Sequence, residues 1–287
     1  MTVILAFVLG ALGVRLAVQC APELSRAPML ERTNFRGRTV FTASGLLVLA
    51  SVLIVEAGRS VLGAFGLGVE PGANPARTLV LFAAFGFGML GFIDDALGGE
   101  DRGFRGHLRA LRDGRITTGL LKLGGGAALA FVLAAQPGFV TGKRVLADAV
   151  LIALAANLGN LLDRAPGRVI KVSLLAWVPL AILAGTGPVG VALAPVMGAA
   201  AGVLPDDLRE RSMLGDTGAN LLGGVLGLMA VFTLGRGART GVLIALIALN
   251  LASEFVSYSR VIERVPPLDR KSTRLNSSHV SESRMPS

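Results

Sequence analysis

The chain has 287 residues, of which 52% are hydrophobic, 16% charged and 38 glycine, with a mean hydropathy of +0.65, whereas an ordinary soluble domain carries about 25% charged residues. One cysteine, Cys20, and two histidines, His107 and His279, exclude an intrachain disulfide framework, a cysteine-ligated metal and multi-histidine zinc or haem sites. The formal charge of +9 would suggest nucleic acid in a soluble protein, but in so apolar a chain it asks first where the Lys and Arg residues lie relative to a membrane.

Nine apolar spans follow one another at residues 1–20, 40–58, 78–93, 117–136, 145–162, 171–186, 188–204, 217–234 and 240–257. Backbone in lipid must satisfy its own hydrogen bonds, so all nine are expected to be helices. With the N-terminus outside, the loops at 21–39, 94–116, 163–171, 205–216 and 258–264 fall on the cytoplasmic side and carry sixteen Lys and Arg residues. The opposite loops carry six: Arg59, Arg77, Lys143, Arg144, Arg236 and Arg239. The positive-inside rule therefore gives an all-α, polytopic integral membrane protein of about nine transmembrane helices, N-terminus outside and C-terminus cytoplasmic. The first span lacks the basic start of a signal peptide and reads as a membrane helix. Glycines within the spans fit close helix packing. Residues 1–269 read as a single transmembrane domain. The polar, Ser-rich stretch 270–287 reads as a disordered tail whose wording resembles a translated sequencing adapter, so it is expected to be non-native.

Acidic residues cluster at the ends of spans on one face: Asp94 and Asp95 after span three, Asp163 after span five, Asp206 and Asp207 after span seven, Asp216 at the start of span eight. Singly, an Asp at a helix end is a cap or a solvated anchor. Together, with no His or Cys nearby, hard carboxylates suit Mg²⁺, which keeps several waters and binds through one or two carboxylates plus substrate phosphates. Asn157, Asn160 and Asp163 recur at i, i+3 and i+6 and share one helical face; the alternative is a polar helix–helix contact, since Asn joins membrane helices. Leu214-Gly215-Asp216-Thr217-Gly218-Ala219-Asn220 sets a carboxylate beside the free amides of a helix start, a geometry able to hold a metal-bound phosphate or to be a plain N-cap. Lys122, about one turn inside span four, and the arginines of loop 102–115 are counter-charges for a diphosphate, or, for the loop, a topology and headgroup signal.

Gly91-Phe92-Ile93-Asp94-Asp95, then Asn157-x-x-Asn160-x-x-Asp163, then Leu214-Gly215-Asp216-Thr217-Gly218, in that order and on separate spans, resemble the polyprenyl-phosphate N-acetylhexosamine-1-phosphate transferases of glycosyltransferase family 4. The resemblance covers about residues 24–265. It implies Mg²⁺-dependent transfer, with Mn²⁺ as a substitute, of a sugar-1-phosphate from a UDP-N-acetyl amino sugar to a polyprenyl phosphate, with UMP released, for cell-envelope glycan synthesis. Carried over, Asp94 and Asp95 match the pair that binds or deprotonates the lipid phosphate, Asn157, Asn160 and Asp163 the nucleotide and catalytic stripe, and Asp216 the main Mg²⁺ ligand. Lys122 matches a phosphate-contacting lysine, and Arg168, in the basic turn after the stripe, is a substrate-binding candidate.

The implied partners are the polyprenyl phosphate, the UDP-amino sugar and membrane lipids, not nucleic acid; a homodimer is compatible with the sequence and not required by it. The implied place is the plasma membrane, with the active site on its cytoplasmic face. Three positions depart from the family pattern: Asp163 is followed by Arg164 rather than Gly, Phe41 stands where a proline is usual, and no His lies between Arg109 and Arg270. Two rivals remain at this point, a non-catalytic lipid-binding relative and a cation-coupled transporter whose acidic groups would lie near the bilayer midplane.

Overall fold

The computed structural model describes residues 2–21, 27–33, 37, 39–42, 44–68, 74–98, 110–114, 116–136 and 142–255. Most of the basic loop 102–115, His107 included, and the tail 270–287 lie outside the described residues. The chain divides into two units, residues 1–250 and 251–287; of the second, residues 251–255 are described and are helical. Among the described residues each apolar span of the sequence coincides with a helix: α1 Val3–Cys20, α2 Ser44–Ala64, α3 Pro75–Leu97, α4 Thr118–Ala134, α5 Lys143–Leu162, α6 Arg168–Ala184, α7 Pro188–Leu208, α8 Gly215–Thr233 and α9 Arg236–Phe255. Six of these, α1, α2, α3, α5, α7 and α8, are long and apolar enough to cross a membrane, and α4 is apolar and shorter, with 17 residues.

The boundary of the second span is the largest departure from expectation. Residues 39–41 are not helical but form a strand, Thr39–Phe41 (β2), paired antiparallel with Glu31–Thr33 (β1) in the register Glu31↔Phe41. Tertiary hydrogen bonds explain this: the Met213 amide donates to the Phe41 carbonyl (2.6 Å). The first amides of α2 are also spoken for, because Ser44 N–H donates to Met213 O and Gly45 N–H to Leu214 O, both at 3.1 Å. Helix-start N–H groups have no intrahelical acceptor; here the segment leading into α8 supplies one. The hairpin thereby fixes where α8 begins.

Of the six spanning helices α8 is the most enclosed and α1 the least. Small residues make that enclosure possible, since helices in lipid associate by close backbone approach. A Cβ on Gly91 of α3 would lie 2.2 Å from Asp216 O, one on Gly159 of α5 2.3 Å from Ala219 O, and one on Gly45 of α2 2.3 Å from Gly218 N. Three helices therefore touch the first turn of α8 backbone to backbone. At the opposite ends of the helices, four of the six arginines and lysines counted there are neutralised in pairs. Glu56 accepts from Arg77 at 2.7 Å and from Arg59, and Asp148 pairs with Arg239 at 2.6 Å and Arg144 at 3.1 Å.

The glycine contacts lead to a paired prediction. Gly91→Ala forces a methyl into the α8 backbone and should destabilise by about 1–3 kcal/mol, the usual cost of overpacking. Gly124→Ala, on an open face of α4, should be neutral or gain up to about 1 kcal/mol from helix propensity. Thermal melts of both variants in detergent check the contrast, and an unshifted melt for Gly91→Ala contradicts the packing account.

Candidate active site

Successive helical residues point about 100° apart, so Asp94 and Asp95 at the end of α3 face different neighbours. Asp95 turns to α8. Its carboxylate accepts from the amides of Asp216 (3.0 Å) and Thr217 (2.8 Å) and from the Thr217 hydroxyl (2.6 Å). It acts as an N-cap supplied from another helix, where Leu214, the residue preceding α8, offers no capping side chain. Gly215, at φ 71° and with its would-be Cβ 1.8 Å from Thr42 O, makes the tight entry that this cap needs.

Asp94 turns to α4 instead. Thr118 Oγ1 donates to its Oδ1 and Lys122 Nζ to its Oδ2, each at 2.6 Å; the two donors lie at i and i+4 on one face of α4. Lys122 Nζ reaches Asp216 Oδ2 at 2.5 Å as well. Asn160 completes the group: with its amide turned to satisfy both neighbours, it donates to Asp216 Oδ1 and accepts from Lys122 Nζ at 3.3 Å. An ammonium has three protons, and here each has an acceptor.

Asp163 ends α5 one step further along the same face. The Gly215 amide donates to its carboxylate, and the carboxylates of Asp207, Asp216 and Asp95 surround it. Burial, then the charges of these three neighbours, pushes the Asp163 carboxyl well above the usual carboxylate range, against the lowering effect of the Gly215 amide. Asp207 accepts from the Gly167 amide at 2.5 Å. It thus holds the basic turn 164–168, in which Gly167 is left-handed (φ 67°), onto the end of α7. Asp206 lies apart from these groups, paired with Arg15 and, at 3.6 Å, Arg211.

Of the residues singled out in the sequence, the structure brings Asp94, Asp95, Lys122, Asn160, Asp163 and Asp216 to one end of the α3–α4–α5–α8 cluster. Arg168 opens α6 on the same face, half-buried. Asn157 is not among them. Its amide donates to Asn250 of α9 at 2.7 Å, and Asn250 in turn donates to Leu154 O and Leu246 O, a polar helix–helix contact. Sequence reasoning passed over Thr118, whose signal is its place four residues before Lys122, and Thr217, which sits inside the Gly-Asp-Thr-Gly motif. Asn220, which closes the motif one turn below Asp216, has no role assigned from sequence; it is only 5% exposed, with an unpaired amide nitrogen.

Among the described residues, no group of three or more His, Cys, Asp or Glu is arranged to hold a metal by itself. Mg²⁺ asks for less, one or two carboxylates with waters and substrate phosphates, and the Asp94–Asp216 pair already encloses a cation, the Lys122 ammonium. The donor set therefore fits a hard divalent ion. Beside it runs an apolar groove of about 370 Å³ between α5, α6, α8 and α9, lined by residues including Leu162, Val169, Leu180, Gly227 and Leu246. Its lining residues Gly159, Leu162 and Val169 are chain neighbours of Asn160, Asp163 and Arg168, so the groove lies along the same helices as the polar cluster.

No family model matches the chain. A phospho-N-acetylmuramoyl-pentapeptide-transferase of Rhodopseudomonas palustris (strain BisA53) is 29% identical over 259 residues, covering 78% of this chain and 68% of that protein. The chain is similar to this transferase over most of its length. The similarity agrees with the ordered motifs, and together with the six apolar helices it supports a multi-pass membrane protein.

The crowding at Asp163 has a measurable sign. A carboxyl whose pKa is raised in the fold binds its proton more tightly there than in the unfolded chain, so it favours the fold at low pH and opposes it as pH rises through the raised value. Asp163→Asn, which copies the protonated form, should therefore raise the melting temperature in EDTA at pH 8, with the gain shrinking on acidification. A lower melting temperature for the variant at pH 8 would show that the fold prefers the charge.

Proposed function

We propose that the protein transfers a sugar-1-phosphate from a UDP-N-acetyl amino sugar to a polyprenyl phosphate in a Mg²⁺-dependent reaction. An oxygen of the lipid phosphate forms a bond to the β-phosphorus of the donor. The bond from that phosphorus to the oxygen bridging to the α-phosphorus breaks, and UMP leaves with the bridging oxygen. The observation that carries this reading is the convergence of Asp94, Lys122, Asn160 and Asp216, from four helices, at a helix-end face beside an apolar groove. Such a place suits a water-soluble donor meeting a lipid acceptor.

The residues take distinct parts in this reading. Asp216 and Asp94 would hold the Mg²⁺ or Mn²⁺, which when bound neutralises charge building on the phosphoryl oxygens. Asp94, held by Thr118, would meet the incoming lipid phosphate through that ion. Asp95 positions Asp216 through the start of α8. Asn160, Asp163 and Arg168 face the nucleotide, and Lys122 serves the phosphates. Asn157 contributes by holding α9 along the groove, which would receive part of the prenyl chain. A cation-coupled transporter would place carboxylates at mid-membrane, whereas Asp94, Asp163, Asp207 and Asp216 all lie within a turn of a helix end.

We further read the site face as cytoplasmic, in the plasma membrane, with the N-terminus outside. Support comes from the sixteen-to-six distribution of Lys and Arg.

The test is UMP release by detergent-solubilised protein given Mg²⁺, undecaprenyl phosphate and a panel of UDP-N-acetyl sugars. Release should require both lipid and metal, and Asp216→Asn should lower it by at least about a hundredfold, the scale of losing one preorganised transition-state contact. Absence of release with every donor, from folded and lipid-binding protein, would instead identify a non-catalytic relative.

A further inference from the structure

Lys122 occupies the place that a cation bound to Asp94 and Asp216 would take. Its Nζ bonds Asp94 Oδ2 (2.6 Å) and Asp216 Oδ2 (2.5 Å), and Asn160 supplies a third acceptor at 3.3 Å. A divalent ion on these carboxylates needs the same oxygens and would stand within a few ångströms of a like charge, so the ammonium and the ion exclude each other. The lysine is equipped to leave. It stands in the second turn of α4, close to the helix start on the site face, its side chain is 16% exposed, and its four-carbon stem is flexible.

We propose that Lys122 is the resident counter-ion of the divalent-cation position: it neutralises Asp94 and Asp216 in the free protein, yields to the ion, and carries its ammonium to the phosphate oxygens. This rests on the cation-dependent reading above and adds to it an exchange. The charges explain what the exchange achieves. Without the ion, the ammonium is spent on two carboxylates of an acidic cluster, a place that disfavours a phosphate. The ion adds two positive charges and frees the ammonium, so the loaded site attracts a phosphate more strongly than the free one, with no change of backbone.

The exchange is testable without turnover. In unaltered protein, without nucleotide or lipid, acetylation of Lys122 by acetic anhydride is followed by mass spectrometry, with the exposed Lys143 on the opposite face as internal reference. Saturating Mn²⁺ should raise the Lys122 rate relative to Lys143 by about tenfold over EDTA, the factor expected from losing a contact worth one decade in equilibrium. An unchanged or lower ratio overturns the proposal. As a second measurement, Lys122→Met should bind Mn²⁺ about tenfold more tightly by electron paramagnetic resonance, because the competing charge is gone; equal or weaker binding overturns it.

Asp216→Asn separates the two readings. If it abolishes Mn²⁺ binding while Lys122 reactivity and the Lys122→Met affinity stay unchanged, the cation site stands and the counter-ion role falls. Mn²⁺ that binds nowhere, or that remains bound in Asp216→Asn, overturns both.

Discussion

The site depends on how a helix begins inside a bundle. The first amides of α8 lie among other helices, where an N–H without an acceptor is costly, and the Asp95 carboxylate from α3 meets them with three hydrogen bonds. That contact requires α3 and α8 to approach at backbone distance, which Gly91 permits, and requires the chain to turn sharply at Gly215. Once α8 is seated, Asp216 faces α4 and α5 and the polar cluster follows. The two aspartates that end α3 therefore divide their labour: one holds the start of α8, and the other joins the polar cluster through Thr118 and Lys122.

Holding this many carboxylates in a confined space works against stability. Asp163 has Asp95, Asp207 and Asp216 as neighbours, and Lys122 is the cation placed among them by direct contacts with two carboxylates. Protein interiors tolerate charge when it is paired and hydrogen-bonded, and the fold meets that condition with backbone amides at Asp95, Asp163 and Asp207. Amides are fixed donors, so the carboxylates are held by the backbone itself. Proteins commonly give up stability at functional sites in this way.

Much of this was legible in the sequence because it is local. Runs of apolar residues marked the nine long helices α1 to α9, and the spacing of the acidic motifs placed them at helix ends on one face. What was not legible depends on contacts between distant segments. Nothing local distinguishes Asp94 from Asp95, whose roles part only because α4 lies on one side and α8 on the other. Asn157 and Asn160 share a helix face by spacing, yet one meets Asn250 and the other Asp216. Residues 39–41 read as the start of a membrane helix until their carbonyl partner, the amide of Met213, comes from more than a hundred residues away.

The charged pairs at the far ends of the helices bear on how the protein is assembled. Glu56 and Arg77 belong to α2 and α3, neighbours in the chain, so this hairpin enters the membrane with its counter-charges already on board. Asp148 in α5 has only Arg144 beside it until α9 brings Arg239, 91 residues later in synthesis. The carboxylate at the start of α5 is therefore fully paired only once α9 lies against α5, so this ion pair ties together two segments far apart in the chain.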